Sequence, residues 1–183
     1  MNDQTETTIE AATAPAAMPP VHGLHHAAWR CRDAEETRHF YEDILGLKLV
    51  HIITADTVPS TGEDAPYCHL FFRFTDGSCI AFFDLGDGKG AEAAPDTPRW
   101  VNHIAFSVST VDHLETAKAR LQAHGIDVLG VIDHGFIKSI YFFDPNGLRL
   151  EFTCHMDTAK QTADHAATAA EELEKWIAVH KQG

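Results

Sequence analysis

The chain has 183 residues, 44% of them hydrophobic, and a formal net charge of −13. That length suits one domain or two small halves sharing a core, and the charge argues against nucleic acid and anionic membranes as partners, which call for clustered Lys and Arg. No apolar run approaches the roughly 20 residues of a membrane span, and the acidic start MNDQTETTIEAATAPAAMPP lacks the basic and apolar regions of a signal peptide.

Residues 1–20, rich in Ala, Thr and Pro, read as a disordered tail. LHHAAWRC (24–31) then has strand character. Asp33 caps a helix over AEETRHFYEDIL, whose Phe40, Ile44 and Leu45 make an apolar stripe ending before Gly46. LKLVHII (47–53) is a strand and TADTVPSTGEDAP a loop. YCHLFFRF (67–74) and CIAFFDL (79–85) form a hairpin about TDGS, and residues 87–98, rich in Gly and Pro, form a linker.

The order then repeats. VNHIAFSV (101–108) is a strand, VDHLETAKARLQAHG a helix with Leu114, Ala117 and Leu121 on one side, and IDVLGVI (126–132) a strand before a final hairpin. Aligning His26-Ala-Ala-Trp with His103-Ile-Ala-Phe also aligns the two helices. Residues 21–86 and 99–155 are therefore two βαβββ modules, neither large enough to bury a good core alone. Residues 156–183 form a C-terminal helix whose Ala166, Ala170, Leu173, Trp176, Ile177 and His180 stripe suits docking on the body or on a second subunit. The fold class is α+β. Cys31, Cys68, Cys79 and Cys154 include no CxxC pair and read as reduced, half-buried thiols of a cytoplasmic protein.

The final hairpin carries the chemistry. Pro145-Asn146-Gly147 fits a three-residue loop with Gly in the left-handed position, which pairs Asp144 with Leu148 and Tyr141 with Glu151. Period-two alternation then gives a core face of Ile140, Phe142, Leu148, Leu150 and Phe152. Glu151 and Tyr141 share the opposite face. A buried carboxylate is costly unless paired or bound to metal, so Glu151 either meets water or a cation. His26, His103 and Glu151 occupy matching places in the repeat, and two His with one carboxylate are the usual ligand set of non-haem Fe(II), which Mn(II) and Zn(II) also use.

HHAAWRCRDAEETRHFYEDILGLKLV, WVNHIAFSV and FFDPNGLRLEF resemble the vicinal oxygen chelate superfamily, which includes glyoxalases, extradiol dioxygenases and fosfomycin-resistance thiol transferases. The resemblance covers about residues 22 to 155. It implies paired modules in a cupped mixed sheet around one metal held by His26, His103 and Glu151, with His25 on the opposite face. Within the superfamily, His134, Ile140-Tyr141, the Asp144-Pro145-Asn146-Gly147 turn and Glu151 match the extradiol ring-cleavage signature. By that likeness Tyr141 and His134 are catalytic, the metal is Fe(II) in preference to Mn(II) or Zn(II), and the substrate is a small aromatic or vicinal-oxygen compound.

Two departures stand out. The fourth ligand of glyoxalases falls on Phe82, which cannot ligate, and the first-module acid/base His of extradiol enzymes falls on Ser78 or Cys79, with His69 as a possible substitute. The rival readings are a lyase, isomerase or thiol transferase on the same metal, and a metal-free small-molecule binding protein. A homodimer is expected.

Overall fold

The computed structural model describes residues 17–92 and 94–180, so most of the N-terminal tail lies outside the described residues. In chain order the elements are β1 (His26–Cys31), α1 (Ala34–Arg38, continued by a π-helical turn His39–Ile44), β2 (Lys48–Thr57), β3 (Asp64–Arg73) and β4 (Cys79–Asp84). The second series is β5 (Ile104–Ser107), α2 (Val111–Ala123), β6 (Leu129–Asp133), β7 (Ile137–Phe143) and β8 (Arg149–His155), followed by α3 (Ala159–His180). Each series makes a four-stranded mixed sheet, ordered β1-β4-β3-β2 and β5-β8-β7-β6. The repeat read from the sequence is thus present strand for strand. No described helix is long and apolar enough to cross a membrane.

Several boundaries differ from the sequence reading for identifiable reasons. β2 and β3 run on through TADT and EDAP, because Thr54 pairs with Cys68, Ala55 with Tyr67 and Thr57 with Asp64. Backbone pairing needs no apolar side chain, so an apolar run understates such a hairpin. β5 begins at Ile104, which leaves His103 one residue before the strand rather than within it. Asp33 does cap α1, accepting the Glu36 N–H at 2.7 Å, but the helix then widens so that the Leu45 N–H donates to the Phe40 carbonyl. That wider turn carries Tyr41 inward with Phe40 and Ile44, where a regular helix would have favoured Leu45.

One core serves both modules. Tyr41 stacks against Phe72 and tilts on Phe82, while Phe40 meets Phe142 and Phe74 meets Phe106 across the module boundary. Leu114 and Leu121 of α2 are fully buried, as their spacing predicts. Ile80 and Phe82 of the first sheet, with Ile140, Phe142 and Leu150 of the second, turn inward to this core. Since strand side chains alternate, the opposite face of each sheet is free of it.

The Asp144–Gly147 turn binds the modules together. Its register is the expected one: the Asp144 N–H donates to the Leu148 carbonyl at 3.0 Å, and Gly147 sits at φ +88°. The Asp144 carboxylate accepts the N–H groups of Asn146 (2.9 Å) and Leu148 (2.8 Å) and the buried Tyr41 hydroxyl (3.0 Å). Asn146 Oδ1 accepts the Arg32 N–H at 3.0 Å. Gly90 of the linker lies so close that a Cβ there would stand 2.8 Å from the Asn146 carbonyl oxygen. Burial pushes the Asp144 carboxyl above its ordinary range, and the donated hydrogen bonds pull it back.

The C-terminal helix departs from one of its two expected placements. α3 buries none of its residues, and Trp176 is 61% exposed. Its first three turns hold Ala, Thr and polar residues with little apolar area to bury, and its large apolar residues come only at the far end.

Replacing Asp144 by Ala would orphan the Tyr41 hydroxyl and two backbone N–H groups in the core. We expect a loss of roughly 3 kcal/mol and a fall in melting temperature of roughly 10 °C. A calorimetric scan within 2 °C or so of the parent would contradict this role for the turn.

Candidate functional site

Glu151 is only 3% exposed, although it lies on the sheet face opposite the core. Its neighbours explain the burial. β7 and β8 pair Tyr141 with Glu151, and the Tyr141 hydroxyl donates to Glu151 Oε1 at 3.2 Å. His103 Nε2 lies 2.9 Å from Glu151 Oε2. The other ring nitrogen of His103, Nδ1, is 2.9 Å from the Val101 carbonyl oxygen.

A carbonyl oxygen only accepts, so His103 Nδ1 carries the proton of that bond. A neutral His103 then turns the lone pair of Nε2 directly at a carboxylate oxygen. Two acceptors at 2.9 Å repel unless a proton or a metal ion lies between them. Ligand atoms each about 2.1 Å from one ion and at right angles to it stand about 3 Å apart. The pair has the spacing of two neighbouring ligands, and the Val101 carbonyl supplies the outer hydrogen bond that metal-binding His residues commonly make.

Tyr141 continues the chain of contacts, because His134 Nε2 lies 2.9 Å from its hydroxyl oxygen. Burial, and then the Glu151 carboxylate, raise the Tyr141 phenol above its usual range, so it is protonated at neutral pH. The Arg149 guanidinium lies 4.2 Å from the Tyr141 ring centroid and donates to the Trp100 carbonyl. Four of the five residues singled out in the sequence, His103, Glu151, Tyr141 and His134, thus form one connected group. Arg149 belongs beside them. Period-two spacing puts it on the Glu151 face, but nothing in the sequence signals its stacking on Tyr141.

His26 stands apart, at the start of β1 on the other sheet. Its ring meets Phe71 and His69 edge-on, and its Nδ1 lies 2.7 Å from Nδ1 of His25. His25 was expected on the opposite face. It precedes the strand, so alternation does not hold it, and its ring turns to its neighbour. Among the described residues no three His, Cys, Asp or Glu side chains are gathered for a metal. Within one chain, therefore, His103 and Glu151 meet and His26 does not join them.

The first module also corrects the assignment of the missing fourth ligand. Ala105 pairs with Glu151 across β5 and β8, and the equivalent Ala28 pairs with Ala81 across β1 and β4. The counterpart of Glu151 is Ala81 rather than Phe82, which faces the core. Ala81 has no ligating atom either. His69 is more deeply placed than its strand context suggests: it is 6% exposed, stacked on Phe83, and its Nε2 has no hydrogen-bond partner. Burial, then the His26 and His51 rings, push its pKa down to about 4, so it is neutral at pH 7.

Residues 23–152 match the sequence profile of the Glyoxalase/Bleomycin resistance protein/Dioxygenase superfamily. A putative ring-cleaving dioxygenase, MhqA of Bacillus subtilis, is 26% identical over 137 residues, which are 73% of this chain and 40% of that protein. The chain thus spans less than half the length of that relative. Among solved structures, a glyoxylase/bleomycin resistance protein/dioxygenase domain from Frankia sp. EAN1pec superposes with TM-score 0.60 at 19% identity, over 74% of this chain and 99% of that one. The trypanothione-dependent glyoxalase I of Leishmania major gives 0.57 at 17% identity, over 85% and 99%. The fosfomycin resistance protein FosX of Listeria monocytogenes, complexed with Mn(II) and 1S,2S-dihydroxypropylphosphonic acid, gives 0.55 at 21% identity, over 79% and 99%. At these identities the likeness to the solved structures is one of fold.

The His103–Glu151 pair makes its own prediction, readable in metal-free protein. His103→Leu strands a buried carboxylate and should cost roughly 2–3 kcal/mol. Adding Glu151→Gln removes the stranded charge, so the double variant should recover much of that loss in denaturant unfolding. Strictly additive losses would mean that the two side chains do not interact.

Proposed function

The chain belongs to the Glyoxalase/Bleomycin resistance protein/Dioxygenase superfamily, and from that premise we propose that it is a mononuclear divalent-metal enzyme of the ring-cleaving dioxygenase kind. Its substrate is a small aromatic compound with adjacent oxygens. The observation that carries this reading is the buried Glu151 carboxylate facing Nε2 of His103 at 2.9 Å, with Tyr141 and His134 in line behind it. The distant likeness to a putative ring-cleaving dioxygenase favours this chemistry over isomerase or thiol-transfer chemistry. The alanine at the position of a fourth ligand also weighs against a four-ligand isomerase site.

His103 and Glu151 would hold the ion, Fe(II) in preference to Mn(II) or Zn(II), and His26 would be the third ligand. His26 is on the other sheet and both sheets keep a face clear of the core, so we assign the completing His26 to a second copy of the chain. When bound, the ion supplies a Lewis acid that lowers the pKa of a coordinated hydroxyl. The chain does the rest. Tyr141, held protonated, offers a hydrogen bond beside the carboxylate, and His134 can pass a proton to or from its hydroxyl oxygen. Arg149, stacked on the Tyr141 ring, fixes that ring's orientation and favours negative charge on the substrate. Burial of Glu151 keeps water from weakening these contacts.

Two measurements test this. Tyr141→Phe should keep its metal and lose about 10²–10⁴-fold in oxygen uptake with a catechol panel; loss of metal and turnover together would assign Tyr141 to structure instead. For the shared site, His26→Ala and Glu151→Gln should each abolish tight Fe(II) or Mn(II) binding alone. Co-expressed, they should restore about a quarter of the sites, since half of randomly formed dimers are mixed and each of those has one intact site. Recovery of none would place all ligands in one chain.

A further inference from the structure

α3 is 22 residues long and free of the body beyond its first turns, where His165 meets Asp157 at 3.1 Å. Its composition has a finer pattern than an apolar stripe. Ala163, Ala166 and Ala170, then Leu173, Ile177 and His180, follow alternating steps of three and four residues, with Ala159 one step earlier. This is the 3.5-residue repeat of a helix that packs lengthwise on another helix. The charged residues Lys160, Asp164, Glu171, Glu172, Glu174 and Lys175 all fall outside it. Small residues occupy one half of the seam and large ones the other.

That asymmetry chooses the partner. Set antiparallel to a copy of itself about the midpoint between Glu171 and Glu172, the helix places His180 opposite Ala163, Ile177 opposite Ala166 and Leu173 opposite Ala170. Every large side chain meets a small one, the alternation that lets facing helices interdigitate without voids. A parallel pair instead sets Ala against Ala and Ile against Ile, leaving one half loose and the other crowded. Leu173 is 58% exposed, and none of the described residues covers it. Trp176 flanks the seam and stacks on His180, which widens that end of the helix.

We propose that α3 is a dimerisation helix that pairs antiparallel with α3 of a second copy of this chain, centred between Glu171 and Glu172. The inference stands on the helix alone and holds whether or not the protein binds metal.

The test uses the full chain. Sedimentation at micromolar concentration should give a dimer for the parent, and L173E/I177E, which puts two charges in the seam, should raise the dissociation constant roughly hundredfold with an unchanged far-UV spectrum. Direction is read by oxidative cross-linking with the parent as background. Ala166→Cys mixed with Ile177→Cys should form a covalent dimer, and neither variant alone should. A monomeric parent, a double variant as dimeric as the parent, or cross-linking of Ala166→Cys with itself would each overturn the proposal.

Discussion

A carboxylate that is almost fully buried, facing Nε2 of His103 at 2.9 Å, is the constraint on which the site depends. The Val101 carbonyl claims the proton on the far side of the His103 ring, so the gap between Nε2 and Glu151 Oε2 calls for a positive charge. The surrounding hairpin is built to keep that gap in place. β7 and β8 hold Tyr141 and Glu151 in direct register, and the core residues on their reverse face lock both strands. Tyr141 satisfies the second carboxylate oxygen, so Oε2 alone is left for the charge.

The turn that sets this register also joins the modules. Asp144 and Asn146 bind Tyr41, Thr37 and Arg32 of the first module, so the segment that aims Glu151 is the same one that fastens the two halves. α1 and α2 lie with the shared core, and each sheet keeps one face clear of it. One such face bears His26 and the neutral His69, the other Glu151 and Tyr141. On the proposed reading each face is half of a site until a second copy brings the other, and the proposed pairing of α3 would supply the same partner.

What the sequence disclosed follows from short-range rules. The turn residues Pro145, Asn146 and Gly147 dictate a loop length, and the loop length dictates that Tyr141 meets Glu151. Period-two alternation separated the core face from the site face correctly in β7 and β8. Apolar spacing found Leu114 and Leu121. The misses are of another kind. The π-helical turn that buries Tyr41 is driven by contacts with Asp144, 103 residues away. The pairing of Ala28 with Ala81 depends on a parallel register that no turn dictates. The inward placement of His69 depends on Phe83 across the hairpin. His26 shows the limit most plainly: the repeat marks it as the equal of His103, yet a repeat states equivalence and not proximity.

The most direct test is anomalous diffraction from crystals grown with Mn(II). The account predicts one peak per chain, about 2.1–2.2 Å from His103 Nε2 and Glu151 Oε2, with a His26 nitrogen from a second copy completing the set. A fully formed site with no peak between His103 and Glu151, or a peak there whose third protein ligand is not His26, would contradict it.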